Sequence, residues 1–258
     1  GKSQAWTEFL RQVTQDDDCL IEFLQRMAGY ALTGDTSEEC LFFLHGGGGN
    51  GKGTFIGVLL NILASYAANA TMDTFLASRH ERHSTDLAML RGARLVTASE
   101  TSEGRAWDEQ RVKAMTGNDP ITARFMRQDN FTFMPQFKLI LLGNNKPVLR
   151  AVDDAWRRRF HIVPFTYTPP TKDLRLKTRL VAEYPLILNW MIEGCIKWQA
   201  DGLMVPERVV SETAEYFAAQ DTFADWIQEC CESKPSYMDK SKRLFASWKS
   251  FAEQAGEA

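Results

Sequence analysis

Apolar positions along the chain follow two rhythms. Trp6, Phe9, Leu10 and Val13 recur every three or four residues, and Leu20, Ile21, Phe23, Leu24, Met27 and Ala28 form a second stripe of the same kind. That period belongs to amphipathic helices, so residues 1–34 are expected to be two helices that cap a core and stop near Gly34. The rhythm then vanishes. Leu41-Phe42-Phe43-Leu44 is unbroken apolar sequence, Leu95-Val96 opens a second run, and residues 137–142 form a third. Short runs of this kind read as strands buried on both faces, as in a parallel sheet. Helical spacing returns at Phe55, Ile56, Leu59, Leu60 and Leu63, and again over 85–90 and 108–115. Residues 121–126 and 131–134 are rich in β-formers and flank Arg127-Gln128-Asp129-Asn130, the pattern of a β-hairpin with a polar, basic tip. A further apolar segment covers 160–165. Pro169-Pro170 marks a linker, after which 180–183, 185–198, 209–220, 223–231 and 242–251 continue as helix, with Pro185 suited to a helix start. The pattern predicts an α/β protein with a central, mostly parallel sheet. It divides into a helical lead-in (1–36), a core (37–168) and a helical C-terminal region (169–258).

Composition narrows this picture a little. A chain of 258 residues with 44% hydrophobic and 24% charged residues is ordinary for one soluble core with helical additions. No apolar run approaches the roughly 20 residues that span a bilayer. The start, Gly1-Lys2-Ser3, has no signal-peptide pattern and no initiator Met, as expected of a piece of a longer chain. Five cysteines without Cys-x-x-Cys spacing read as reduced thiols in the cytoplasm. His80 and His83 lack companion ligands, so no metal site is expected there. The net charge of −3 does not advertise a nucleic-acid binder, yet residues 121–160 hold eight basic against three acidic residues. A basic face concentrated on a mildly acidic protein suits a partner with phosphates.

The candidate chemistry begins where the first strand ends. Gly46-Gly47-Gly48-Gly49-Asn50-Gly51-Lys52-Gly53-Thr54 follows apolar residues and opens a helical pattern. Strand, glycine-rich loop, lysine and helix make a phosphate-binding loop, whose amides cradle phosphates while Lys52 reaches the β and γ groups. The usual Ser or Thr after the lysine is replaced by Gly53, and Thr54 comes one place late. Glu100 closes the strand that starts at Leu95, a position suited to holding magnesium or polarising the attacking water, with Glu103 as a second acid. Asn144 follows the 137–142 strand, where an amide can orient water and sense the γ-phosphate; turn chemistry before Pro147 is the plainer reading. Arg157-Arg158-Arg159 cannot all share one direction, so at least one is expected to face an anion.

In this order the parts resemble the helicase domain of phage and plasmid primase–helicases, of the poxvirus and satellite-phage type, within superfamily 3 of the AAA+ ATPases. The resemblance rests on residues 46–54, Ser99-Glu100, Lys113, Thr116-Gly117, Asp119-Pro120-Ile121, Ala123-Arg124, Asn144-Asn145-Lys146-Pro147, Arg158-Arg159 and Ile162-Val163-Pro164-Phe165. It implies a P-loop NTPase fold of AAA+ type with a hairpin inserted before the sensor strand. It also implies a hexameric ring with ATP and Mg2+ at each interface. Lys52 and the loop amides would bind phosphates, Glu100 and Thr54 would serve the metal, Asn144 would be the sensor, and Arg158 or Arg159 would be the finger reaching a neighbour's ATP. Arg127 and Gln128 would grip DNA in the central channel, supported by Lys113 and Arg124. An upstream primase module, a mobile genetic element and the cytoplasm of a bacterial host are implied likewise. Two other readings stand beside it: an ATP-dependent initiator or loader without processive unwinding, and a small-molecule nucleotide kinase suggested by Gly51-Lys52-Gly53-Thr54.

Overall fold

The computed structural model describes residues 3–78, 85–99, 104–149, 152–171, 173–232, 234 and 236–254. In chain order the elements are α1 (Gln4–Thr14), α2 (Asp18–Tyr30), β1 (Leu41–His45), α3 (Lys52–Leu63), β2 (Ala67–Asn69), α4 (Thr85–Ala88), β3 (Leu95–Ser99), α5 (Glu109–Thr116), β4 (Ile121–Ala123) and β5 (Phe131–Phe133). They continue with β6 (Lys138–Gly143), α6 (Asp154–Arg159), β7 (Phe160–Pro164), α7 (Leu176–Ala182), α8 (Tyr184–Asp201), α9 (Glu207–Ala218), α10 (Thr222–Cys230) and α11 (Ser241–Gln254).

Five strands form one parallel sheet in the order β2-β3-β6-β1-β7, and β4 pairs antiparallel with β5 in a separate hairpin. Side chains on a strand alternate between faces, and the burial follows. Phe42, Leu44, Ile140, Leu142 and Val163 join the apolar residues of α1, α2, α3 and α8 in one cluster. Leu41, Phe43, Leu139, Leu141 and Ile162 join Val112 of α5, Trp156 of α6 and Tyr216 and Phe217 of α9 in the other. The lead-in and the C-terminal helices therefore share the core of the sheet. Helices α2 and α8 cross at two glycines: a Cβ on Gly29 would lie 2.0 Å from the Cys195 nitrogen, and one on Gly194 would lie 2.0 Å from the Gln25 carbonyl oxygen.

The short edge strand β2 has no counterpart in the apolar pattern, because Ala67-Ala68-Asn69 carries no strand signature of its own. The hairpin is present but its strands are shorter than expected, leaving residues 124–130 as a long tip in which Arg127 takes φ 62°. Lys138, at the start of β6, is 2% exposed and donates to the carbonyls of Thr33, Asp35 (3.1 Å) and Gln136 (3.4 Å). It closes the turn after α2. All five cysteines are free thiols. No helix among the described residues is long and apolar enough to cross a membrane.

Candidate nucleotide and nucleic-acid sites

Parallel strands end at the same edge, and here the edge carries the candidate chemistry. His45 at the end of β1 is in register with Gly143 at the end of β6, so the loop after β1 and Asn144 after β6 emerge side by side. The loop is pinned from below: Asn50, 2% exposed, donates to the Phe165 carbonyl, and Phe165 donates from its backbone to His45 at 2.7 Å. Gly46, at φ 153°, lies where a Cβ would meet that same Phe165 oxygen at 1.9 Å. Gly51 adopts φ 92°, and a Cβ on it would strike Val13 of α1 at 2.6 Å. Helix α1 thus packs directly on the loop, a role its apolar stripe did not announce.

Helices α1, α2, α5 and α6 are capped by the side chains of Ser3, Asp17, Asp108 and Asp153. Like α7, α8 and α9, helix α3 has no side-chain cap; it starts at Lys52 behind Gly51. Its first amides are the kind of donors that an anion satisfies. Lys52 is 7% exposed and its ammonium donates to Gly46 O (2.6 Å), Gly47 O (3.0 Å), Asn50 Oδ1 (3.0 Å) and Asn144 Oδ1 (3.2 Å). Burial holds its pKa below the usual lysine value. The lysine and the candidate sensor, 92 positions apart, are in direct contact.

They open onto a cleft of 1160 Å³. Gly48 to Thr54, Ser99 and Asn144 line one side, Phe9 and Val13 of α1 another, and Lys177 and Arg179 of α7 the rim. The α1 and α7 walls are tied together by Glu183, which accepts from the Ser3 hydroxyl and from Ala5 N at 3.1 Å, and by Arg179 with Glu8 at 3.9 Å. Lys177 and Arg179 bring the C-terminal region to the cleft. No motif marks them; only the fold returns α7 to the cleft. Glu100, Glu103, His80, His83 and Arg150 lie outside the described residues; Ser99, just before Glu100, reaches the cleft. Gly53 is exposed with open space where a side chain would stand, and Thr54 faces the cleft.

The basic stretch 121–160 is not one face. Lys138 is in the core, Lys146 pairs with Glu212 at 3.5 Å and Arg157 with Asp221 at 3.7 Å, and Arg159 pairs with Glu39 at 2.8 Å. Arg124, Arg127 and Gln128 are exposed on the hairpin tip, and Arg158 is exposed on α6; none of the four has an ion pair or side-chain hydrogen bond among the described residues. Lys113 is tied to Asp153 at 2.5 Å and sits 5.9 Å from the Trp156 ring centroid, so it braces α5 against α6 rather than joining the hairpin. Of the arginine run, Arg157 and Arg159 have acidic partners within the chain, and Arg158 is exposed with none among the described residues.

Residues 44–159 match a family of unknown function, DUF5906. The chain is 28% identical over 240 residues to a protein of Acanthamoeba polyphaga mimivirus named "putative helicase", covering 85% of this chain and 25% of that protein. It is 24% identical over 263 residues to a Frog virus 3 (isolate Goorha) protein, "Putative helicase 022R", covering 91% of this chain and 27% of the relative. The chain thus spans about a quarter of the length of these relatives. Among solved structures, apo forms of the NrS-1 C-terminal region superpose with a TM-score of 0.63 at 10% and 12% identity, over 97% of this chain and 63% of those chains. In sequence the chain is similar to viral proteins named as helicases, and in fold it is an α/β protein with a five-stranded parallel sheet that superposes on the NrS-1 region.

Proposed function

We propose that this chain is the ATPase motor of a DNA helicase that works in the replication of a phage, plasmid or other mobile element. The observation that carries the reading is the meeting of Lys52 with Asn144 at 3.2 Å, beside an uncapped helix start, at the mouth of the large cleft. A triphosphate in that cleft would take over the ammonium and the α3 amides. Asn144 would then face the γ-phosphate or the attacking water.

Thr54, which lines the cleft, offers a hydroxyl oxygen of the kind magnesium takes. Among the described residues no cluster of three His, Cys, Asp or Glu stands ready for a metal. The ion would therefore come with the nucleotide, held by phosphate oxygens, Thr54 and Glu100, the oxygen-only set that magnesium favours. When bound, it neutralises charge on the phosphates. Arg158 is the finger in this reading: it is exposed and has no ion pair among the described residues, and it would complete the cleft of a neighbouring subunit in a hexameric ring. Arg124, Arg127 and Gln128 would line the channel and hold the DNA backbone. Only the channel needs to be basic, which accommodates a net charge of −3. A primase module is the expected companion in the full-length protein.

The test is strand displacement with ATP on substrates with opposite single-stranded tails, alongside assembly size. Unwinding that Lys52→Ala reduces by at least about 10²-fold is the expected result. Full ATPase in that variant overturns the site. DNA-dependent ATPase without displacement favours the loader reading. Mixing Lys52→Ala with Arg158→Ala subunits should restore part of the activity, because each supplies what the other lacks.

A further inference from the structure

Helix α9 has no place in the chemistry so far, yet it touches both halves of it. One of its faces holds the segment that follows Asn144. Glu212 pairs with Lys146 at 3.5 Å, the Tyr216 hydroxyl donates to the Pro147 carbonyl, and Gln220, just past the helix end, accepts from Leu149 N at 3.0 Å. These three positions are four apart, so they stack on one side of the helix. The adjoining face, one residue on, holds the arginine helix and the strand after it. Thr213 accepts from Ile162 N at 2.9 Å, Arg157 lies 5.4 Å from the Phe217 ring centroid, and Asp221 pairs with Arg157 at 3.7 Å. Glu39 grips Arg159 from the other side, so Arg158 projects from a short helix fixed at both neighbours.

We propose that α9 is a coupling element that passes the state of a subunit's own cleft, sensed at Asn144, to the Arg158 it presents to the next subunit. The proposal rests on the functional reading above. A γ-phosphate entering between Lys52 and Asn144 replaces their direct bond, and the movement reaches Lys146 and Pro147 within three residues. Those residues are gripped by Glu212 and Tyr216. Tyr216 is 3% exposed and its hydroxyl also accepts from Trp107 Nε1 at 3.0 Å. A close-packed helix shifts as a unit, so a displacement of its first face is carried to Arg157 by its second. Glu212, Tyr216 and Asp221 are positioning residues, since none of them lines the cleft.

The experiment measures ATPase against ATP concentration, and ATP affinity separately with a fluorescent ATP analogue, for the parent chain and for Glu212→Gln, Tyr216→Phe and Asp221→Asn. Tyr216→Phe keeps the ring in the core and removes only the hydroxyl. Expected is an ATP affinity within about twofold of the parent, a kcat lowered about tenfold, within the range of site-to-site couplings, and a Hill coefficient reduced to one. On an Arg158→Ala background, Glu212→Gln should cost nothing further, because the path ends at that arginine; a purely structural role would add its loss again. Parent-like kcat and cooperativity in both Glu212→Gln and Tyr216→Phe, or additive losses with Arg158→Ala, overturn the coupling while leaving the motor reading intact. A parent chain without ATPase activity sinks the motor reading and the coupling with it.

Discussion

Replacing Arg158 and Arg159 one at a time separates structure from catalysis, because the fold treats them differently. Arg159 is 8% exposed and pairs with Glu39 at 2.8 Å, while the Glu39 side chain is 43% exposed. A half-screened pair of this kind lies between the roughly 0.2–1 kcal/mol of surface bridges and the roughly 3–5 kcal/mol lost on breaking a buried one. With its packed stem included, Arg159→Ala should cost about 2–3 kcal/mol. At roughly 2–4 °C per kcal/mol for a domain of this size, its melting temperature should fall by about 5–10 °C. Arg158 is exposed and has no ion pair among the described residues, so Arg158→Ala should stay within about 0.5 kcal/mol of the parent. Its cost belongs in the rate. A finger arginine is worth about 10³-fold or more in kcat, or about 4 kcal/mol of transition-state stabilisation. Melting curves and DNA-stimulated ATPase on both variants are the assay. Refutation is an Arg158→Ala chain that keeps its ATPase within about threefold, or an Arg159→Ala chain that is inactive yet as stable as the parent.

Arg127→Ala should weaken DNA binding at every sequence, lower the salt dependence by about one unit of slope, and spare basal ATPase; unchanged binding removes the hairpin from the DNA path. Gly194→Ala should destabilise by about 1–3 kcal/mol in urea unfolding, since its methyl meets the Gln25 carbonyl at 2.0 Å, although alanine alone would favour the helix by about 1 kcal/mol. Lys138 supplies a pH signature: burial, with Arg94 beside it, lowers its pKa from 10.5 to about 7. Between those values the unfolded chain holds the proton that the native chain has released. Stability from this group therefore rises with pH above about 7, by at most about 1.4 kcal/mol per unit, and is least below it. Lys138→Met should lack that rise relative to the parent when unfolding is compared at pH 7 and 9; equal slopes refute the assignment.

What could be read in sequence was local. The strands at 41 and 137, the glycine loop with Lys52 and the hairpin around Arg127 declare themselves through neighbours in the chain: continuous apolar runs, glycines before a lysine, β-formers around a polar tip. Helix ends fell within a few residues for the same reason, with Asp108 as the cap of α5 and Pro185 in the first turn of α8. Strand β2 was invisible because its three residues are held by pairing with β3 and not by their own preference.

The functional assignments divide along the same line. Sequence alone determined that a glycine-rich loop ending in a lysine joins a strand to a helix, that an amide follows a core strand, and that an arginine run follows it. Tertiary structure decided which arginines of the run have partners among the described residues: Arg157 and Arg159 pair with Asp221 and Glu39, 64 and 120 positions away. It split the basic stretch, pairing Lys146, Arg157 and Arg159 internally and leaving Arg124, Arg127 and Arg158 exposed, and it built the walls of the cleft from α1 and α7, which precede and follow the core in sequence. A side chain's charge is written in the sequence, but whether that charge faces water, a carboxylate or a ligand depends on which distant segment packs against it. The chain settles that only when it folds.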